Sequence, residues 1–293
     1  MIPCRRAWPA ALLLLLPLLA ACVSLSADPR ALVYETDGVK VQSLNCVAAM
    51  QTAAAFRPAP NTNAGLALDP KAIRIVSWNI HKEADAGWED ALAAIAKRND
   101  VLLLQEVSLS GDLQGVLRGA GLRWILASSF IRDETDIGVL TASRTVPIAS
   151  CTQRADEPLA RIPKSVVITW LRIAGTQQTL AVANVHAINF TLTLDTYRGQ
   201  LDTLAGILAL HTGPMVLGGD LNTWSEARLA VLREIAARLE LREVTYTDDR
   251  RSVFLGQRVD HVFVRGLDVA ATHVADTKAS DHNPVEVVLR LSR

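Results

Sequence analysis

Several apolar stretches of this sequence lead into a polar or charged residue of a type that does chemistry. The residues concerned are Asn79, Glu106, His186, Asp220 with Asn222, Asp260, and the pair Asp281 and His282. An ionised carboxylate beside a buried strand is costly unless it is paired or bound to a metal. Taken singly, these residues also suit ordinary roles as turn residues, helix caps, surface ion pairs or core histidines. Taken together, their repetition at strand ends disfavours these ordinary roles for the set as a whole.

The same residues occur in short motifs whose order along the chain resembles that of a known superfamily. The motifs are Trp78-Asn79, Leu104-Gln105-Glu106, His186, Gly219-Asp220-Leu221-Asn222, Val259-Asp260-His261 and Ser280-Asp281-His282. They resemble the successive motifs of the endonuclease/exonuclease/phosphatase superfamily, which includes pancreatic-type deoxyribonucleases, exonuclease III-like enzymes, bacterial sphingomyelinases and inositol polyphosphate phosphatases. The resemblance runs from residue 71 to about residue 291. It implies an α+β fold, a four-layer α/β/β/α sandwich of two packed mixed β-sheets with the site at one edge.

The resemblance also implies a metal site. Glu106 matches the glutamate that is the principal metal ligand in the superfamily, and Asn79 and Asp281 match further ligand positions. Two carboxylates and an amide oxygen form a hard oxygen set that suits Mg²⁺, with Mn²⁺ as a substitute. Zinc is disfavoured because no Cys/His spacing fits it. We therefore expect Mg²⁺ as the cofactor.

For hydrolysis of a phosphate ester, the resemblance assigns the remaining motif residues to acid–base roles. Asp220 is expected to be the general base that activates water, oriented by Asn222 two residues later. His282 is expected to contact the phosphate and to be oriented by Asp260, since a carboxylate partner stabilises the charged imidazole. His186 would donate to a phosphoryl oxygen or protonate the leaving group. A histidine at that motif is more similar to the deoxyribonuclease and sphingomyelinase branches than to the exonuclease III-like branch.

Other basic residues have two open interpretations. Arg161 and Lys164 either place positive charge near the substrate phosphate or are solvated surface charges. The remaining histidines match no motif and are interpreted as surface or packing residues: His81, His211, His261 and His273.

Apolar and helical patterns predict the elements that position these residues. Apolar runs predict strands over 72–77, 101–104, 138–141, 165–173, 179–185, 214–217, 259–264 and 284–291. Helical spacing predicts helices over 89–97, 196–210 and 226–239. Strands interspersed with helices favour an α/β or α+β enzyme over a helix bundle. Strands that are apolar on both sides must be covered on both faces, which predicts stacked sheets or sheets covered by helices.

The N-terminus has the pattern of an export signal. Arg5 and Arg6 precede an apolar run over 10–21, which is shorter than the roughly 20 residues that a spanning helix needs. Leu19-Ala20-Ala21-Cys22 resembles the lipobox of bacterial lipoproteins, so Cys22 is expected to be lipidated and to become the mature N-terminus. The alternative is an ordinary signal peptide cut nearby, which leaves Cys22 as a free thiol.

These patterns predict a signal peptide over 1–21, a lipid tether and N-terminal extension over 22–70, and the catalytic domain over 71–293. The extension is expected to dock on the domain because residues 41–50 are apolar enough to pack. Val23, rather than aspartate, follows Cys22. Since aspartate there is the familiar inner-membrane retention signal, we expect an exported, membrane-anchored lipoprotein in the outer membrane, facing the periplasm or the cell surface.

Cysteine counting predicts one disulfide. Cys4 lies in the expected signal peptide and Cys22 in the lipobox, which leaves Cys46 and Cys151. Two thiols in an oxidising compartment suggest a bridge, here one that pins the extension to the catalytic domain. The alternative is two isolated buried cysteines acting as small hydrophobic residues.

Composition limits the function classes. The 30 Lys and Arg residues equal the 30 Asp and Glu residues, so no overall positive field draws the protein to nucleic acid, although a nuclease is not excluded. With 5% aromatic residues, neither a basic aromatic stripe nor an inserting aromatic hairpin stands out. The leading hypothesis is a metal-dependent hydrolase of phosphodiesters or phosphomonoesters. Its substrate is a nucleic acid, a phospholipid or a small molecule, and the alternative is an idle lipoprotein that uses the fold as a binding scaffold.

Overall fold

The computed structural model describes residues 23–26, 29–35, 38–56, 67–158, 162–191 and 193–292. Its strands are β1 Val23–Ser24, β2 Ala31–Glu35, β3 Gly38–Gln42, β4 Ile73–Asn79, β5 Val101–Ser108, β6 Arg123–Arg132, β7 Thr135–Ser143, β8 Ala149–Ala155, β9 Lys164–Arg172, β10 Thr179–His186, β11 Met215–Asp220, β12 Arg242–Glu243, β13 Val253–Phe254, β14 Gln257–Arg258, β15 Asp260–Arg265, β16 Leu267–Val274 and β17 Val285–Leu291. Its α-helices are α1 Cys46–Ala55, α2 Trp88–Arg98, α3 Gly111–Gly119, α4 Asp195–Leu208 and α5 Glu226–Arg238.

The strands form two large sheets. The first has the order β16-β17-β4-β5-β7-β6-β2-β3, with β1 also paired to β6, and the second has the order β12-β15-β11-β10-β9-β8. Each sheet contains one parallel pair, β4 with β5 in the first and β10 with β11 in the second. The other pairings are antiparallel, so both sheets are mixed, as predicted. All eight predicted strands and all three predicted helices are present.

Alternation along the strands builds four layers. In the first sheet Ile75 and Leu103 face the second sheet, where they pack with Val182 and Val216. Residues one position along, such as Val76 and Leu104, pack instead with α2 and α3 on the outer face. The outer face of the second sheet is covered by α1, α4 and α5. The predicted four-layer α/β/β/α sandwich is confirmed.

The outer helices follow from the spacing of their apolar residues. Helix α2 buries Leu92, Ile95 and Ala96, which lie on one face because their spacing is three and four residues. Helix α3 begins after Ser110, whose hydroxyl accepts a hydrogen bond from the Leu113 backbone N–H at 3.1 Å. None of the described helices combines the length and the apolar character that crossing a bilayer requires.

The N-terminal extension contacts both sheets of the sandwich. Strands β1 and β2 pair with β6 and extend the first sheet, whereas α1 packs Ala49 and Ala53 against the second sheet. Cys46, the first residue of α1, forms a disulfide with the buried Cys151 of β8. The bridge therefore fixes the extension to the edge of the second sheet.

The Cys46–Cys151 bridge should stabilise the protein by restricting the conformations of the unfolded chain, because it closes a loop between residues 105 positions apart. The chain-entropy model gives an upper figure of about 4 to 5 kcal/mol for a loop of this length. Reductant should therefore lower the melting temperature of the wild-type protein by several degrees. The double variant Cys46→Ala/Cys151→Ala should melt lower and should not respond to reductant. Reaction of both thiols in the purified, unreduced protein would show that the bridge is absent.

Candidate active site

The predicted site residues meet where the parallel strand pairs of the two sheets end. Asn79 pairs with Gln105 at the ends of β4 and β5, and His186 pairs with Asp220 at the ends of β10 and β11. Asp260 pairs with Asp220 from the other side. Because both parallel pairs end at one edge of the sandwich, polar side chains from the two sheets face one another there.

Two buried amides join the sheets directly beneath this edge. Gln105 Nε2 donates to Asn184 Oδ1 at 2.7 Å, and Asn184 Nδ2 donates to the Leu140 carbonyl at 2.9 Å. Both side chains are fully buried. A buried amide must find partners with good geometry, so this pair restricts how the two sheets slide against each other. Glu106 follows Gln105 directly, and His186 follows Asn184 by two residues. The amide pair therefore also sets the position of Glu106 relative to His186.

Glu106 lies at an irregularity in its strand. The pairing of β5 with β7 shifts register between Leu104 and Val107, and Glu106 has a positive φ of 51°. A bulge of this kind changes the direction of one side chain, so that it no longer follows the alternation of the strand. The Glu106 carboxylate therefore faces the site, where its Oε1 is 3.8 Å from Nε2 of His186.

An uncommon left-handed turn brings a cation to Glu106. The backbone φ values of His81, Lys82 and Glu83 are 48°, 58° and 55°, a conformation that residues other than glycine rarely adopt. Glu83 Oε1 accepts from the Ser108 backbone N–H at 2.9 Å and ties the turn to β5. The Lys82 ammonium consequently pairs with the Glu106 carboxylate. Strained backbone of this kind often marks a functional site.

Nearby positive groups keep Glu106 ionised. Burial alone would raise its pKa, but the Lys82 ammonium and the Lys164 ammonium act in the opposite direction and hold the pKa below its ordinary value. Glu106 thus carries its charge throughout the physiological range.

Asn79 connects the first sheet to the second. Its Nδ2 donates to Asp220 Oδ2 at 3.1 Å, and its Oδ1 accepts from the His81 backbone N–H at 3.1 Å. Its backbone carbonyl accepts from the Ser280 hydroxyl at 2.7 Å, which fixes the segment that carries Asp281 and His282.

Asp220 is buried at the centre of the site. Its Oδ1 accepts from the Asn222 backbone N–H at 3.0 Å, while the Asn222 side chain donates to the Ala187 carbonyl at 2.9 Å. The orientation expected from Asn222 therefore comes through its backbone. Burial raises the pKa of Asp220 to about 6, although His282 acts to lower it. A side chain before Asp220 would collide with the neighbouring strand, because a Cβ on Gly219 would lie 1.9 Å from the Val185 carbonyl oxygen.

His282 is a partly buried cation. Its Nδ1 donates to Asp260 Oδ2 at 2.9 Å, and its Nε2 faces Asp220 Oδ2 at 4.0 Å. Burial opposes the charged form, but the Asp260 carboxylate outweighs it and raises the pKa of His282 to about 10. Trp78 Nε1 donates to the His282 carbonyl at 2.8 Å and holds its backbone. The expected carboxylate–histidine pair is formed.

His186 is neutral in this arrangement. Burial, assisted by the Lys164 ammonium, lowers its pKa well below the usual value. Lys164 Nζ donates to His186 Nε2 at 2.9 Å, and that nitrogen is also 3.5 Å from Asp220 Oδ2. Lys164 is therefore one of the cations of the site, and of its two open interpretations the structure favours the one that places it by the substrate.

Asp281 lies at the rim and not among the buried groups. Its side chain is 59% exposed, and its Oδ1 is 4.0 Å from His81 Nδ1. Among the described residues, no three His, Cys, Asp or Glu side chains are close enough to form a preassembled metal cluster. Contacts thus link the predicted residues Asn79, Glu106, His186, Asp220, Asp260 and His282, whereas Asp281 stands apart from them. Cys22 and Arg161 lie outside the described residues.

Two features of the site are not predicted from the sequence. The first is Lys82 with the left-handed turn that presents it, for which the sequence shows no periodic pattern. The second is the bond between the amides of Gln105 and Asn184, although each of them interrupts an otherwise apolar run and is visible in the sequence for that reason. His81 is a partly exposed surface residue, in line with the interpretation from the sequence, and it lies at the rim of the site with Nδ1 2.8 Å from Asp85 Oδ2. His261 matches that interpretation, since it is buried and bonded to Glu243.

Comparison with known proteins identifies the family. The model of the Endonuclease/Exonuclease/phosphatase family matches residues 76–282. The chain belongs to this family. UPF0294 protein plu0699 from Photorhabdus laumondii subsp. laumondii is 37% identical over 215 residues, which cover 73% of this chain and 82% of that protein.

Two solved structures show the same fold. The endonuclease/exonuclease/phosphatase from Beutenbergia cavernae gives a TM-score of 0.59 at 21% identity and covers 76% of this chain and 72% of that one. Mannosyl-6-phosphatase Bt3783 from Bacteroides thetaiotaomicron gives 0.56 at 18% identity and covers 74% and 99%. At these identities the likeness concerns the fold, which is that of a superfamily of phosphoester hydrolases.

The His282–Asp260 pair should be measurable in the metal-free protein. A raised pKa means that the bound proton contributes stability that is fully present below the ordinary value of 6.5 and is lost as the pH rises through about 10. Imidazole NMR should therefore show His282 protonated at neutral pH. Asp260→Asn should lower the pKa of His282 by at least one unit, whereas the exposed Asp90→Asn should not change it. Titration of wild-type His282 near 6.5 would contradict the pair.

Proposed function

We propose that this protein is a divalent-metal-dependent hydrolase of phosphate esters, with Mg²⁺ as its cation and Mn²⁺ as a substitute. The observation that carries the proposal is the position of a carboxylate base next to a histidine cation. Asp220, a buried carboxylate with a pKa of about 6, faces the Nε2 of His282, which Asp260 keeps cationic. A base that is mostly ionised at neutral pH beside a fixed positive charge is what the attack of water on a phosphate requires.

The donor set fits a hard divalent cation. Glu106 is ionised, and its pairing with the Lys82 ammonium supports a positively charged partner at this position. Among the described residues, the Asn79 amide oxygen accepts one hydrogen bond, from the His81 backbone N–H, and it has a second lone pair to offer. Asp281 would complete the set from the rim. These three residues would hold the cation, which when bound supplies positive charge to a phosphoryl oxygen.

The protein's own groups account for the proton transfers. Asp220 would take a proton from water, with Asn79 and the Asn222 backbone N–H fixing its carboxylate. The Nε2–H of His282 would donate to a phosphoryl oxygen and neutralise charge as it develops. Lys164 and His186 form a donor–acceptor pair in the same site, and through it a proton can reach the leaving oxygen. The structural neighbour named as a mannosyl-6-phosphatase is consistent with such chemistry on this fold.

Removal of divalent cations should abolish hydrolysis of bis(4-nitrophenyl) phosphate, and Mg²⁺ or Mn²⁺ should restore it. Glu106→Gln should weaken Mn²⁺ binding in calorimetry at least tenfold and reduce turnover with it, because the variant loses the anionic oxygen. The matched control Glu89→Gln alters an exposed carboxylate on α2 and should change neither quantity. Full activity in excess chelator would reject the metal assignment.

Asp220→Asn should lower kcat by on the order of 10² or more, the usual scale for a positioned acid–base group, while thermal unfolding shows a folded protein. The amide cannot accept the proton of the attacking water at neutral pH. Turnover close to that of the wild type would remove Asp220 from the mechanism.

We also propose that the protein is exported and anchored to a membrane through a lipid on Cys22, in the outer membrane where the cell has one. The lipobox-like Leu19-Ala20-Ala21-Cys22 and the Val23 that follows it support this location. Cys22→Ser should accumulate as an unprocessed precursor in membrane fractions, whereas Cys46→Ser should mature. Normal processing of Cys22→Ser would refute the lipoprotein proposal.

A further inference from the structure

The first described residues of the chain lie at a defined place on the sandwich. Val23 pairs with Arg132 and Ser24 with Ile131, at the C-terminal end of β6. Cys22 directly precedes Val23 in the sequence, so a lipid on Cys22 would be joined to the fold with no spacer.

This attachment point is at the same edge as the active site. Strand β6 pairs with β7, and β7 pairs with β5, which carries Glu106. In that register Phe130 pairs with Ile137, and Ile137 pairs with Ser108, two residues after Glu106. Strand β1 is therefore three strands from β5, or about 15 Å at the usual spacing of about 4.8 Å. A lipid at Cys22 would bring the membrane surface to the edge that holds the catalytic groups.

An apolar pocket of about 180 Å³ opens at this edge. The apolar part of its lining, called the apolar wall, consists of Phe130, Ile137, Ile162, Pro163 and Phe190. The polar part of the lining consists of the active-site groups Lys82, Glu106, Lys164 and His186, together with Ser129 and Glu157. A molecule that fills the pocket would place an apolar part against the apolar wall and a charged part near the active-site groups.

Exposed apolar side chains occur close to the attachment point and to the pocket. Val23 is 50% exposed and Leu25 is 49% exposed, and Phe190 at the pocket is 52% exposed. Exposed apolar residues beside a lipid anchor fit contact with the apolar layer of a membrane. An anchor and a second contact together hold a protein on a membrane more firmly than one acyl chain does.

We propose that the substrate is the phosphate ester of a lipid that lies in the same membrane as the anchor. The proposal rests on the proposed function, including lipidation of Cys22. The pocket takes the apolar part of the lipid, while its phosphate lies by Asp220 and His282. Water adds its oxygen to phosphorus, the ester P–O bond breaks, and the leaving oxygen takes up a proton. A sugar phosphate would leave the apolar wall unfilled, and the balanced composition lacks the positive field typical of nucleic-acid binding.

Substrate class can be tested with the full, mature lipoprotein reconstituted with Mg²⁺ into vesicles of a total bacterial lipid extract. Phosphorus NMR should detect hydrolysis of a vesicle lipid, with kcat/KM at least tenfold above that for duplex DNA. Bis(4-nitrophenyl) phosphate serves as the soluble comparison. Cleavage of the soluble diester without any lipid product, or faster cleavage of DNA, would overturn the proposal and leave the phosphoesterase function intact. No cleavage of any substrate would refute both.

The orientation of the site can be tested with Leu25, which lies outside the pocket and the catalytic groups. Leu25→Asp should lower hydrolysis of the vesicle lipid at least tenfold and keep the rate on the soluble diester within twofold. Leu210→Asp is the matched control, since Leu210 is 55% exposed and follows α4 at the end remote from the site. If Leu25→Asp does not fold, Leu25→Ser replaces it. Unchanged lipid hydrolysis in a folded Leu25 variant would contradict an active site that faces the membrane.

Discussion

The hydrogen bond between the buried amides of Gln105 and Asn184 is the constraint on which the site depends. The hydrophobic contacts between the two sheets are non-directional, whereas a buried amide that loses its partner costs about 1 to 3 kcal/mol. The pair thus fixes the first sheet relative to the second at the point where their parallel strands end. Glu106 and Asn79 come from one sheet and His186 and Asp220 from the other, so their mutual distances depend on this contact.

A second constraint is electrostatic. The site gathers the carboxylates of Glu106, Asp220 and Asp260 at a buried edge, where each charge is poorly solvated. Cations are placed among them: His282 on Asp260, Lys82 on Glu106, and Lys164 beside His186. Groups of the same type are driven apart in pKa by their surroundings, as the raised value of Asp220 and the lowered value of Glu106 show. In the proposed mechanism, that separation would let one carboxylate act as a base while another holds a cation.

The sequence predicted what depends on local pattern and on motif. The apolar runs of β5, β10 and β11 located the strands, and the motif residues after them, through the family resemblance that they carry, located the site. Strand β6 was not predicted, because Ser128 and Ser129 interrupt its apolar pattern. Both serines are buried only through tertiary packing. The left-handed turn at Lys82 was not predicted either. It is held by Glu83 and Ser108, which lie 25 residues apart, and no local pattern predicts such a contact.

We propose above all that the edge shared by the two sheets binds a divalent cation at Glu106. Crystals of the wild-type protein grown with saturating Mn²⁺, with data collected at the manganese absorption edge, test this directly. We expect one anomalous peak within coordination distance of the Glu106 carboxylate, with Asn79 and Asp281 as the nearest other ligands. An ion bound elsewhere in the protein, or a Glu106 that remains paired with Lys82 alone at saturating Mn²⁺, would contradict it.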